Sequence, residues 1–229
     1  MKLSLFSLSS LLLVFIGGCY IPKETDSYTL ESGRYKNIAD GRKPVFVKFE
    51  DSLIRMLALS EKQNETVFLF PEIQSPSTAS PLKLLKPSFD LDIITIPFKY
   101  RFPTQAFPDQ FNTNFSGAFY AGFRNDVYSF KYKKNPLGEH HRMIAHYGYG
   151  AGVFSGVGST AMNPWVTLGR INIEYDGFVI ITGAESVIAV NNFTFGIGVG
   201  IDHLMDKNRK LWIYRGKPWL GLTIGLNLN

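Results

Sequence analysis

Residues 193 to 201 carry a bulky apolar side chain at every second position: Phe193, Phe195, Ile197, Val199 and Ile201. Between them stand Thr194, Gly196, Gly198 and Gly200, and then Asp202. The alternation recurs along the second half of the chain. Phe115, Phe119 and Phe123 oppose Asn114, Ser116, Tyr120, Gly122 and Arg124. Tyr147, Tyr149, Ala151 and Val153 oppose three glycines, and Leu220, Leu222, Ile224, Leu226 and Leu228 oppose Trp219, Gly221, Thr223, Gly225 and Asn227. Residues 94–102 set Ile94, Ile96, Phe98, Tyr100 and Phe102 against Thr95, Pro97, Lys99 and Arg101. Residues 171–181 set Ile171, Ile173, Tyr175, Val179 and Ile181 against Asn172, Glu174 and Asp176. Period-two alternation predicts strands. Seven follow, near 90–102, 112–132, 143–158, 166–181, 183–190, 193–204 and 211–228. Residues 28–73 read as shorter strands, and the Pro- and Ser-rich stretch 74–88 reads as a linker. No helix of ordinary length with clear caps, no heptad and no fixed repeat is visible.

A half-buried soluble strand also alternates, so the polar face must decide. Here it is made of Gly, Thr, Asn and a few charges, not the Lys and Glu that solvate an exposed face. Small residues suit the crowded inside of a narrow barrel. Strands of about ten residues match the length that crosses a bilayer at a tilt. Hydrocarbon offers no hydrogen bonds to a sheet edge, so such a sheet must close. The expectation is an all-β, antiparallel, up-and-down membrane β-barrel with a short β-rich N-terminal segment. Barrels of this kind have even strand numbers. One strand near 66–70 is therefore recruited, giving about eight, with a lumen filled by side chains and no wide pore. Residues 191–192 would make a tight periplasmic turn, and 205–217 an outer hairpin.

Composition sharpens this picture. The chain has 229 residues, with 24 Lys+Arg against 19 Asp+Glu, and only 19% charged residues. The excess of base is not clustered, which argues against a nucleic-acid partner. The first residues add a compartment. Lys2 precedes an apolar stretch too short and too early for a mature membrane helix. Ile16-Gly17-Gly18-Cys19 resembles the lipobox of bacterial lipoproteins. That resemblance implies a signal peptide over 1–18, a lipidated Cys19 as mature N-terminus and, with Tyr20 next, an outer-membrane address. By pattern, residues 89–229 resemble small Gram-negative outer-membrane β-barrels. The expected organisation is then signal peptide (1–18), tether, β-rich segment and linker (19–88), and barrel (89–229), anchored at the periplasmic face.

Candidate chemistry is sparse. Lys99, Arg101, Arg124, Glu174, Asp176, Asp202 and Lys217 fall on the expected inward face, and their mixed signs predict a charge network in the lumen. Glu139, His140, His141 and His146 lie close in sequence. Adjacent histidines on a strand point apart, though, and the run is expected in an outer loop, so no metal is assigned. Ser155 is nine residues from His146, roughly 30 Å along one strand, too far for a base to reach a nucleophile. No enzyme and no cofactor are expected. The single cysteine excludes an intrachain disulfide. The reading is a non-enzymatic barrel lipoprotein with outer-membrane lipid as its surroundings, in a structural, adhesive or envelope-complex role. A lipid-tethered soluble β-sandwich or lipocalin-like binding domain is the first alternative, and a lipid-modifying barrel enzyme the second.

Overall fold

The computed structural model describes residues 30–50, 53–59, 65–69, 82–104, 107–134, 136–138, 140–190 and 193–227. They form an antiparallel all-β protein, with two short 3-10 turns, Trp165–Thr167 and Lys207–Lys210. The strands are β1 (Gly33–Asn37), β2 (Lys43–Phe49), β3 (Leu53–Ala58), β4 (Glu65–Leu69), β5 (Leu82–Arg101), β6 (Gln110–Asn112), β7 (Ser116–Lys134), β8 (His140–Met162), β9 (Tyr175–Val190), β10 (Phe193–Leu204) and β11 (Pro218–Asn227). All belong to one sheet. Its order is β11-β10-β9-β8-β7-β5-β1-β2-β3-β4, with β6 alongside β5.

The sheet closes on itself because β11 also pairs with β5. The result is a six-stranded ring, β5-β7-β8-β9-β10-β11. Closure is uneven. Only Asp92–Arg101 of β5 meets β11, while Leu84 and Leu85 pair with β1. The three longest strands, β5, β7 and β8, therefore run through two structures. Their upper halves belong to the ring, and their other halves join β1–β4 in an open antiparallel sheet. Residues 102–104 and 107–115, with β6 among them, and the loops 163–174 and 205–217 gather at one end of the ring, here the cap end. The open sheet lies at the other, the sheet end.

Two apolar clusters result. In the ring, Ile94, Ile96, Tyr120, Phe154, Ile181 and Trp219 pack with Val166, Trp212 and Tyr214 of the cap loops. In the open sheet, Tyr35, Val45, Val47, Ile54 and Met56 pack on Leu84, Phe130 and Ile144. The outer face of the ring is the reverse of a soluble surface. Phe119 and Phe123 are each 74% exposed, and Ile197 is 58% exposed. Phe89, Phe98, Val153, Phe178, Phe195, Leu222 and Ile224 are exposed too, while charged residues sit inside.

The alternating glycines answer to this interior. An added Cβ at Gly200 would stand 2.4 Å from the Trp219 ring, and one at Gly183 2.4 Å from Phe154. In so narrow a ring, one strand must give up side chains so that its neighbours can fill the space.

Several expectations need correction. Among the described residues the ring has six strands, not about eight. Residues 166–174 form a 3-10 turn and a loop, so 175–190 is one strand instead of two. The segment near 66–70 is β4, paired with β3 at the far edge of the open sheet. The boundary expected between 88 and 89 falls inside β5, because Leu82–Thr95 pair continuously with β7 despite Pro87. Ile94 and Ile96 point inward, as do Val179 and Ile181. On β5 the cause is a bulge. Phe98 pairs with Leu222 but Thr95 with Ile224, so β5 carries one extra residue at Ile96–Pro97 and the parity changes there. The run His140–His146 lies in β8 on the sheet end, not in an outer loop. Residues 191–192 lie outside the described residues, between β9 and β10.

Candidate functional site in the ring interior

The interior charges fall into two groups, set by which strand ends they occupy. Near the cap end, Asp202 of β10 is the hub. Lys99 donates to both its oxygens at 3.1 and 3.3 Å, Trp219 Nε1 donates at 2.8 Å, and Arg101 Nη2 also donates to it. Lys99 stands 4.8 Å from the Trp219 ring centre, and the Arg101 guanidinium about equally close, 5.0 and 5.1 Å, to the rings of Trp212 and Tyr214. Two cations thus share one carboxylate, with ring faces supplying further negative potential. Arg101 Nε, Trp212 Nε1 and the Tyr214 hydroxyl are buried without a hydrogen-bond partner among the described residues.

Towards the sheet end the balance reverses. Arg124 of β7 donates to Asp90 at 3.0 Å and to Asp126 at 3.2 Å. Ser88 donates to Asp126 at 3.1 Å, and His146 Nε2 lies 2.8 Å from its other oxygen. Tyr128 stacks on His146 with ring centres 4.7 Å apart. Thr194 donates to Asp92 at 2.9 Å. Glu185 is buried in β9 and faces the Thr223 hydroxyl of β11. Beyond this group the interior passes into the core of the open sheet, where burial raises the Tyr35 phenol above its ordinary value. That hydroxyl donates to the Glu31 carbonyl at 2.7 Å.

The predicted network divides accordingly. Lys99, Arg101, Arg124 and Asp202 are inside and ion-paired. Glu174 and Lys217 are exposed in loops, and Asp176, at the start of β9, is exposed and accepts from Asn114 at 3.2 Å. These three do not join the interior. Asp90, Asp92, Asp126 and Glu185 are interior groups outside the predicted network, and His146, expected in an outer loop, joins them through Asp126. Asp90 and Asp92 were readable, since Phe89, Leu91 and Ile93 alternate with them plainly. Cys19 lies outside the described residues.

Chemically the arrangement braces strands together. Lys99 and Arg101 of β5 reach Asp202 of β10, 103 and 101 residues away, Arg124–Asp90 and His146–Asp126 join neighbouring strands, Arg124–Asp126 lies within β7, and the large rings fill the remaining volume. Among the described residues no cluster of His, Cys, Asp and Glu could hold a metal, and no helix is long and apolar enough to cross a membrane. No family model, curated protein or solved structure matches this chain.

Proposed function

We propose that the chain is a small outer-membrane β-barrel lipoprotein. Its ring spans the bilayer, its open sheet stands at the periplasmic face, and Cys19 carries the lipid. The role is structural, adhesive or as part of an envelope complex, without catalysis and without a wide pore. The observation that carries the reading is the inversion of faces: bulky apolar side chains outside a closed ring, ion pairs inside it. Water would make that outer face costly, whereas acyl chains favour it. The lengths agree, for β10 and β11 have 12 and 10 residues, enough to cross hydrocarbon at a tilt. The positions of the ends agree as well. The open sheet, which follows the tether in the chain, stands at the sheet end. About ten residues separate Cys19 from Leu30, and such a tether, extended, reaches roughly 30–40 Å.

The experiment replaces Cys19 with Ala behind a cleavable signal peptide and follows the protein through fractionation. The membrane barrel remains in outer membranes after carbonate washing and migrates heat-modifiably on gels. Release into the periplasm as a soluble protein would overturn the reading and favour a lipid-tethered soluble β-domain.

A further inference from the structure

Resting on that membrane reading, we infer that the cap end binds phosphate-bearing lipid head groups through the loop between β10 and β11. Thirteen residues, 205–217, hold five cations: Lys207, Arg209, Lys210, Arg215 and Lys217. All five are exposed, and none forms an ion pair among the described residues. The loop's single acid, Asp206, is already engaged. It accepts from Tyr175 at 2.6 Å and from the Asn208 backbone at 2.7 Å.

The loop is also built to hold its cations outward. Trp212 and Tyr214 are buried in the cap, and Ile213 donates to the Val166 carbonyl at 3.0 Å. Turns follow on both sides: Leu211 donates to the Asn208 carbonyl at 2.8 Å, and Lys217 to that of Tyr214 at 3.0 Å. With the two aromatic side chains fixed inward, the charged residues flanking them project away from the ring. Exposed Met205 begins this loop and exposed Trp165 lies in the neighbouring one, both at the cap end of the strands that carry the apolar belt. Apolar side chains below and unpaired cations above match the layering of an acyl region under anionic head groups. A leaflet of phosphate-bearing lipid is therefore the occupant that the charge complementarity selects. Free phosphate has the same charge but not the apolar half.

The test uses the purified full-length protein reconstituted in neutral vesicles. Retention is measured for a labelled bisphosphorylated glycolipid, for the same lipid without its phosphates, and with inorganic phosphate as competitor. The phosphorylated lipid is expected to bind at least about tenfold more tightly than the dephosphorylated one. Changing the five loop cations to Gln should abolish that difference. Changing Arg34, Lys36, Arg42, Lys43 and Lys48 of the open sheet to Gln should leave it intact, with both variants checked for folding by heat-modifiable migration. Equal binding of the two lipids, equal loss in both variants, or full displacement by equimolar inorganic phosphate would each overturn the inference. Entry into neutral vesicles without phosphate preference sinks the inference alone. Failure to enter any vesicle sinks the membrane reading with it.

Discussion

At the scale of single residues, the interior is organised by a few carboxylates that serve several partners each. Asp202 is the clearest case, holding Lys99, Arg101 and Trp219 while itself fully buried. Removing one member of a buried ionic group costs far more than the group contributes, because the remaining charges stay desolvated without a counter-charge. Asp202→Asn is therefore expected to destabilise the ring by about 3–5 kcal/mol, read as a lower heat-modification midpoint. Lys99→Met should cost clearly less, since Arg101 and Trp219 still satisfy the carboxylate. Equal losses from the two changes would show that Asp202 is not the hub. Part of this site was legible in the sequence. Asp202, Lys99, Arg101 and Arg124 stand opposite bulky residues in regular alternation, so their direction could be read directly. Glu174 and Lys217 could not be excluded that way, because alternation continues by chance into loops that pack no ladder.

At the scale of elements, parity is what alternation encodes, and it is lost wherever a strand gains a residue or both its faces are apolar. The β9 run Phe178-Val179-Ile180-Ile181 is apolar on both sides, so its pattern names a strand without naming its inner face. On β5, the extra residue at Ile96–Pro97 lets Ile94 and Ile96 point inward, yet keeps Lys99 and Arg101 inward too. Proline has no N–H for the ladder and is tolerated at bulges. Deleting Pro97 should consequently leave every neighbouring side chain on its own face: Thr95 out, Ile96 in, Phe98 out, Lys99 in. Deleting Gly198 from the regular strand β10 should instead turn one half of that strand inside out, since a one-residue slip exchanges the faces. The expected outcome is a folded, heat-modifiable band for the first deletion and none for the second. If the Gly198 deletion folds as well as the Pro97 deletion, β10 is not held in register by its two faces.

At the scale of the whole molecule, two modules share β5, β7 and β8, each with an apolar core, and the ring also carries bulky apolar side chains over its outer face. The seam between them was hidden from the sequence for a physical reason. Each shared strand is continuous, and the exchange of neighbour, from β11 to β1 along one edge of β5, depends on residues far apart in the chain. The six-strand closure is non-local in the same way. What the two modules face can be separated by one kind of substitution made on both. Ile197 is exposed at mid-height of β10 on the ring, and Phe46 is exposed on β2 of the open sheet. If both faced water, an arginine at either position would be nearly neutral, because neither side chain is buried in protein. If hydrocarbon surrounds the ring alone, Ile197→Arg must place a charge in the acyl layer, at a cost of about 2–4 kcal/mol near the midplane. Phe46→Arg should then stay within about 0.5 kcal/mol. Unfolding midpoints of the two variants in lipid vesicles measure the contrast directly. A neutral Ile197→Arg would mean that the belt is not in lipid, whatever the closure of the ring.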